Sequence, residues 1–428
     1  MAATTPVSST GSIPRASSGT GYQFVLVGLL AINFGFVFFD RNSLNFLMPF
    51  VQPELHLSNA QVGYLASALS LTWAIAAFVI GLVSDKTGSR KGLLILATLC
   101  FSVCSFLTGI ASSFVLMLGA RLLMGAAEGG VMPMSMTLIN AEVAPGWRGL
   151  AMGVAQNFGS NLLGSFVAPV LLTVFAAHFG WRNAFYLAGL PGLIMALLIW
   201  VVVREPPREV VQAQRSSAPK MTMLQALEDR NVLICCVMGV LLVSYLVVCW
   251  AFMPLYLTQV RHMDTETESW LMGTLGISAA IGAFATSALS DFIGRKPLMI
   301  ICPFIAVILP LGALYYQGST AGLAAIFFVG WCVNGIFPMF MATVPSESVD
   351  ERHIATALGV CMGAGEVLGG VLAPSIAGKV ADHVGLQAPL WIMLGLTIGG
   401  GLLAFGLRET APRVLARRAA AQGLAKPA

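Results

Sequence analysis

Residues 81–91 read GLVSDKTGSRK, a short charged turn between two long apolar stretches. A degenerate copy, SDFIGRK, stands at residues 290–296, again between apolar stretches. Only 10% of the 428 residues are charged, against roughly a quarter in soluble proteins, and 57% are hydrophobic. A surface of that composition cannot face water, so most of the chain must lie in lipid.

Apolar segments of about 20 residues, each long enough to cross a hydrocarbon core of roughly 30 Å, recur along nearly the whole chain. We therefore predict an all-α membrane protein with twelve transmembrane helices. The spans are placed at 24–50, 60–83, 92–110, 113–141, 149–177, 184–203, 231–259, 269–289, 297–316, 321–346, 354–381 and 387–407.

The distribution of positive charge predicts the orientation of these helices. Eighteen of the 23 Lys and Arg fall in the termini or in the loops that follow even-numbered spans. Only Arg182, Arg261 and Lys379 lie at the opposite ends, and two more lie within helices. This positive-inside bias predicts that both termini lie in the cytoplasm and that the number of crossings is even. We expect a multi-pass protein of the cytoplasmic (inner) cell membrane.

An internal repeat with an offset of about 205 residues divides the chain into related halves. The matching pairs are the two charged turns, Pro133 with Pro338, Pro169 with Pro374, and Arg204-Glu205 with Arg408-Glu409. We predict a disordered cytoplasmic tail at 1–21, a six-helix bundle at 22–203, a cytoplasmic linker at 204–230, a second six-helix bundle at 231–408 and a cytoplasmic tail at 409–428. The paired prolines either mark a central cavity or only kink helices for packing.

Over residues 24–408 the chain resembles the major facilitator superfamily, because 81–91 matches that superfamily's loop between helices 2 and 3. The resemblance implies two pseudo-symmetric six-helix bundles that give alternating access to one site. It also implies that the loop and its copy form a cytoplasmic gating latch. The latch residues would be Gly81, Asp85, Gly88, Arg90, Lys91, Asp291, Gly294 and Arg295. Without the resemblance, the loop is a tight glycine turn with anchoring charges.

Two helices are similar to those of the anion:cation symporter family. The relevant stretches are FFDRNSLN at 38–45 and RLLMGAAEGG at 121–130. Members of that family take up sugar acids, aromatic acids and other carboxylates together with protons. Spinster-like exporters of lysolipids share an Asp-Arg pair in helix 1 and an Arg with a Glu in helix 4, so export of an amphiphile stays open, as does drug/proton antiport.

Five ionisable residues lie well inside predicted helices: Asp40, Arg41, Arg121, Glu128 and Glu366. Each charge costs about 2.5–3.5 kcal/mol at a helix centre, which points to function. Two arginines against three carboxylates give a net charge of −1, and a substrate carboxylate would make it −2. We therefore expect Asp40 and Glu128 to take up protons while Arg41 and Arg121 hold the substrate.

Other roles are open for the same charges. Arg121 could tether two helices, and Asp40 and Arg41 could neutralise neighbouring helices. Glu366 stands where the family usually has a neutral polar residue. It could be a further proton-coupling site, a partner for an amino-bearing substrate or a protonated hydrogen-bond donor.

A polar patch on the fifth helix completes the predicted binding site. Gln156, Asn157 and Asn161, with Tyr64 and Asn334 from other helices, are candidates to bind substrate hydroxyl or carboxylate groups. Hydrogen bonding between helices is the alternative. The eight cysteines lie in apolar segments without ligand spacing, and enzyme motifs such as HExxH or GxSxG are missing. We expect a monomeric transporter rather than an enzyme, with no metal, cofactor or nucleic acid, although a receptor without flux stays open.

Overall fold

The computed structural model of the chain describes residues 19–144, 146–206, 223–350 and 353–421. Within these ranges eleven helices are long and apolar enough to span a membrane, and a twelfth apolar helix is shorter. They are α1 (Thr20–Glu54), α2 (Asn59–Thr87), α3 (Arg90–Gly109), α4 (Phe114–Glu142), α5 (Arg148–Phe179), α6 (Trp181–Val202), α7 (Arg230–Val260), α8 (Thr265–Ile293), α9 (Arg295–Tyr315), α10 (Thr320–Ser348), α11 (Thr356–Val384) and α12 (Ala388–Ala404). The prediction of a twelve-helix membrane protein is confirmed. The tail at 1–21 and the linker at 204–230 fall mostly outside the described residues.

The paired prolines each follow an irregular turn. The regular helix gives way at Gly129 and Gly130 in α4, at Ser160–Val167 in α5, at Cys332–Ile336 in α10 and at Gly365–Gly369 in α11. Proline has no N–H to donate, and its ring clashes with the carbonyl four residues earlier. The helical turn before each proline is therefore wider or tighter than a regular α-helical turn. Such irregular turns occur at matching depths of the two halves.

Glu205 and Glu409, which occupy equivalent positions in the sequence repeat, make equivalent contacts in the two halves. The Glu205 carboxylate accepts hydrogen bonds from the backbone N–H groups of Arg90 at 2.6 Å and Lys91 at 2.9 Å. It thus caps the first turn of α3, where the helix dipole favours an anion. The Lys91 ammonium in turn donates to the Trp200 carbonyl near the end of α6, at 2.7 Å.

The second half repeats this arrangement at α9. Glu409 accepts from the backbone N–H groups of Arg295 at 2.8 Å and Lys296 at 3.3 Å. The Lys296 ammonium donates to the Phe405 carbonyl at 2.8 Å. One sequence repeat therefore encodes one tertiary contact twice, between the third and the sixth helix of each half.

The turns within the two charged loops depend on glycine. Gly88 and Gly294 have φ values of 71° and 116°, which side chains of other residues rarely allow. Arg295 pairs with Asp291 at 2.7 Å and with Glu347 at 3.1 Å, both in its own half. The side chain of Asp85 lies outside the described part of the structure. A gating role for these loops stays a prediction.

The hydrogen bonds that join the two halves cluster at the membrane side opposite the termini. The Asp382 carboxylate at the end of α11 accepts from the backbone N–H groups of Asn59 at 2.7 Å and Ala60 at 3.0 Å. Asp382 therefore caps α2 from the other half. Further bonds run from Gln259 to Gln52 at 2.8 Å and from Ser67 to the carbonyl of Val371 at 2.6 Å.

Small residues allow this closure. A Cβ on Gly63 of α2 would collide with the Pro374 carbonyl of α11, and one on Gly276 of α8 would collide with the backbone at Ser165 of α5. Two pairs of helices thus touch backbone to backbone across the halves.

We expect Asp382→Ala to loosen this closed side. Loss of a helix cap costs about 1 kcal/mol, so the ratio of the open to the closed form of this side should rise about fivefold. Spin labels at His56 and His383, which are exposed at the ends of the two halves opposite the termini, would report this change as a broader distance distribution. Asp264→Ala removes a cap within a single half and should leave the distribution unchanged. Equal distributions for Asp382→Ala and the parent would contradict a latch at Asp382.

Candidate functional site

A cavity of about 560 Å³ lies between the two halves. Nearly all the polar side chains of its wall come from the first half, which also contributes apolar ones such as Phe34, Met48 and Met132, whereas the second half contributes mostly apolar ones. Polar lining residues of the first half are Arg41, Asn42, Asn45, Ser70, Arg121, Gln156, Asn157, Ser160, Asn161 and Ser165. From the second half, the lining includes Val243, Leu246, Val247, Trp250, Trp331, Asn334, Phe337, Met341, Met362, Glu366 and Val367.

Most of the side chains predicted from the sequence reach this cavity. The lining includes Arg41, Arg121, Gln156, Asn157, Asn161, Asn334 and Glu366. Asp40, Glu128 and Tyr64 are not part of the lining. Tyr64 is a correction to the expected substrate contacts: its ring lies 5.7 Å from the Lys379 ammonium, so this face of α2 packs toward α11.

Arg41 is held by aromatic rings and not by an acid. Its guanidinium lies 5.3 Å from the Trp73 ring centroid and 5.6 Å from that of Phe38. Such cation–π contacts orient the group while leaving its fork of N–H donors available. Among the described residues, no carboxylate lies within ion-pair distance of Arg41, so an anion in the cavity would meet an unpaired cation.

Arg121 joins α4 to α1 beside this group. It is 2% exposed, and its guanidinium donates to the Arg41 carbonyl at 3.2 Å. It also contacts the sulfur of Met124 at 3.2 Å. The tethering role considered for Arg121 is therefore present, and the same side chain still lines the cavity.

Asp40 points away from the cavity, into the packing of α1 against α3 and α6. It is fully buried, and its Oδ1 lies 2.6 Å from the Ser105 hydroxyl, which also lies 2.9 Å from the Phe185 carbonyl. One hydroxyl proton cannot serve both acceptors at once. If Asp40 is ionised, Ser105 donates to it. If Asp40 is protonated, it can donate to Ser105, whose own proton is then free for Phe185.

Glu128 is fully buried on α4, and neither of its carboxyl oxygens has a hydrogen-bond partner among the described residues. Its electrostatic neighbours are Arg41, Asp40 and Arg121. A Cβ at Gly125 or Gly129 would collide with the backbone of α2, so the two helices seal the carboxyl from lipid. Asp40 and Glu128 thus lie behind the cationic wall, where an unpaired charge is costly and protonation removes it.

Glu366 faces the cationic wall from the other half. The wide turn Gly365–Gly369 of α11 carries it, and it lines the cavity. Its electrostatic partner is Arg41 of the first half. Glu366 is thus an acid facing the cationic wall across the gap between the two halves.

The structure adds one buried acid that the sequence prediction missed. Glu268 is fully buried in α8, and neither of its carboxyl oxygens has a partner within the described ranges. The hydropathy pattern places the start of the eighth span at residue 269 and so leaves Glu268 in a loop. The helix begins at Thr265, and its first turn also contains Glu266, a charge pattern that is typical of a solvated helix end.

Comparison with known families assigns nearly all of the helical region to one superfamily. The model of the Major Facilitator Superfamily matches residues 30–360 and, in a second match, residues 248–427. Together the matches cover both halves and the repeat between them. The superfamily resemblance inferred from the charged loop is confirmed.

Named relatives transport acids and related compounds. The chain is 26% identical over 380 residues to a hexuronate transporter of Bacillus subtilis, covering 84% of this chain and 88% of that protein. It is 28% identical over 362 residues to a probable 4-methylmuconolactone transporter of Cupriavidus pinatubonensis, covering 81% of each. Both likenesses run across both halves.

A solved structure shares the fold at low identity. A bacterial homologue of the human lysosomal transporter Spinster, in an inward-facing and unoccupied conformation, superposes with a TM-score of 0.70 and 17% identity. The match covers 96% of this chain and all of that one. At this identity, the likeness concerns the fold alone.

We expect Ser105→Ala to destabilise the protein, because it leaves Asp40 and the Phe185 carbonyl without their shared donor. The loss should be about 1–3 kcal/mol, seen as a lower melting temperature of the purified protein in detergent. Ser102→Ala is the matched control, since this buried serine of the same helix donates only to the Thr98 carbonyl at 3.1 Å within the helix. Equal melting temperatures for the two variants would contradict the contact assigned to Ser105.

Proposed function

The chain belongs to the major facilitator superfamily, and on that premise we propose that it is a carrier of the anion:cation symporter type, moving a small organic anion together with protons. As a member of this superfamily it is a multi-pass membrane transporter and not an enzyme. The observation that carries the proposal is the pair Arg41 and Arg121 on the cavity wall, with the acids Asp40 and Glu128 buried behind it.

The two arginines suit a carboxylate. A guanidinium offers a planar fork of donors that matches two carboxylate oxygens, and its charge persists at any physiological pH. The aromatic contacts of Arg41 and the backbone contact of Arg121 fix both groups at the cavity wall before any ligand arrives. The amides of Gln156, Asn157 and Asn161 extend the same wall with further donors and acceptors.

The buried acids supply the coupling to protons. With Asp40, Glu128 and Glu366 ionised, the two arginines are already outnumbered, and an added carboxylate would raise the negative charge in a low-dielectric site. Protonation of Asp40 and Glu128 releases the arginines to the substrate. Ser105 can reverse the direction of its hydrogen bond to Oδ1 as Asp40 gains or loses its proton, whereas Oδ2 has no partner among the described residues, which adds to the cost of the ionised form.

The closure of the side opposite the termini supports alternating access. Both termini are proposed to lie in the cytoplasm, so that this state opens inward and the cap formed by Asp382 on α2 closes the outer side. Loaded with anion and protons, the arginine cluster is close to neutral, which lowers the electrostatic barrier to moving the halves past each other. We propose that the carrier works as a monomer, since each chain contains both halves.

We expect Glu128→Gln to separate binding from coupling. The amide mimics the protonated acid permanently, so exchange of substrate across proteoliposomes should persist while accumulation driven by an inward proton gradient falls at least tenfold. A labelled carboxylate chosen by thermal-shift screening would serve as substrate. Glu266→Gln changes an exposed acid at the end of α8 and should accumulate like the parent. Full gradient-driven accumulation by Glu128→Gln would refute the role of Glu128.

We expect Arg121→Lys to weaken carboxylate binding about tenfold or more, because lysine keeps the charge but loses the fork and the bond to the Arg41 carbonyl. Isothermal titration of the screened carboxylate into purified protein would measure the Kd. Arg182→Lys, at the outer surface beside Glu54, is the control and should bind like the parent. Unchanged affinity in Arg121→Lys would show that the anion binds elsewhere.

A further inference from the structure

We propose that the substrate is a monocarboxylate with a flat apolar body, such as an aromatic acid, and not a polyhydroxylated acid or a dicarboxylate. This inference rests on the proposed function, because it takes the carboxylate to be held by Arg41 and Arg121. It goes further by assigning the rest of the ligand to the second half.

Polar and apolar lining residues are divided unequally between the two halves. The first half contributes nearly all the polar ones together with apolar ones such as Phe34, Met48 and Met132, and the second half is almost wholly apolar. The first half places its cations and amides together on α1, α4 and α5. The second half faces them with an apolar wall formed by Val243, Leu246, Val247, Trp250, Phe337, Met341 and Met362. A ligand whose carboxylate binds the first wall therefore rests its body against hydrocarbon and aromatic rings.

The aromatic part of this wall is held in place by packing. The Trp250 ring lies edge to face against Trp331 at 5.3 Å and against Phe46 at 5.6 Å. Its neighbour Trp331 is 1% exposed and packs on Tyr245 at 5.6 Å. A preorganised ring suits a flat ligand, because aromatic pairs gain from offset or edge contacts and little side-chain entropy is lost.

A polyhydroxylated acid fits this wall poorly. Among the described lining residues of the second half, the polar side chains that could bond several hydroxyl groups are few, chiefly Asn334 and Glu366. Each hydroxyl that loses water without gaining a partner lowers affinity. The amide wall of the first half can serve the hydroxyls near the carboxylate and not those at the far end of the ligand.

A dicarboxylate meets a second obstacle. Glu366 lines the same cavity and already faces Arg41 across it. A second ligand carboxylate extending from the arginine wall would approach this acid, and like charges repel strongly where water is scarce. Glu366 therefore selects against a distal negative charge while tolerating a neutral or hydrogen-bonding substituent.

The test measures binding to the full-length protein in lipid nanodiscs. Trp73, Trp250 and Trp331 line the cavity, so a bound ring should change tryptophan fluorescence. The probes are benzoate, 3-hydroxybenzoate, glucuronate, succinate and lysophosphatidylcholine. We expect one of the aromatic acids to give a saturable signal with a Kd at least tenfold below those of glucuronate and succinate. Isothermal titration repeats the ranking without relying on tryptophan.

A variant in the apolar wall gives a second readout. Val247→Thr replaces a cavity-facing methyl group with a hydroxyl of similar size and should weaken aromatic-acid binding about fivefold to tenfold. Val237→Thr makes the same change on the 40%-exposed face of α7 outside the cavity lining and should bind like the parent. Melting temperatures of both variants show whether either is misfolded. If Val247→Thr is misfolded, Leu246→Asn provides an independent change in the same apolar wall.

The outcomes separate this inference from the function on which it rests. Preferential binding of glucuronate or succinate, with proton-driven uptake intact, would overturn the substrate class and leave anion symport standing. Binding of the lysolipid alone would overturn both. An aromatic acid that binds with unchanged affinity in Val247→Thr and Leu246→Asn would also overturn the proposal, because its ring could not then rest on this wall.

Discussion

The arrangement of charge in this protein is governed by the cost of an unpaired ion in a low-dielectric interior. Four of the ionisable groups, Asp40, Arg41, Arg121 and Glu128, gather in one half, where each lies within electrostatic reach of the others. The arginines line the cavity, and the acids lie buried behind them. Such a cluster is most stable when its net charge is small, which supports the proposed coupling between its proton content and its anion content.

Movement of the halves depends on contacts of a different kind. Their closed side is built from backbone approaches at Gly63 and Gly276 and from the cap that Asp382 places on α2. None of these contacts requires deep burial of a charge, and each is individually weak. A latch of this type can open when the occupancy of the cavity changes, whereas the capped contacts at Glu205 and Glu409 hold each half together as a unit.

Much of this could be predicted from the sequence because lipid imposes strict rules on composition. Twelve spans, two related halves and charged residues inside helices all follow from hydropathy and repeat spacing. The orientation of individual side chains does not follow from these patterns. Asp40 and Arg41 are adjacent and point about 100° apart, and only the neighbouring helices determine that Arg41 faces the cavity while Asp40 faces α3. Tyr64 was misplaced for the same reason, and Glu268 because an acidic helix end resembles a loop.

The position of Glu366 links the chemistry of the first half to the motion of the whole. As an acid of the second half with Arg41 as its electrostatic partner, it attracts the opposite wall when the cavity is empty. A carboxylate bound to Arg41 would replace that attraction by repulsion unless Glu366 is neutral. The same residue can therefore favour one arrangement of the halves without substrate and another with it. Because its turn, Gly365–Gly369, packs closely on α7 through Gly369, a change in charge at Glu366 acts directly on the helix that carries the aromatic wall.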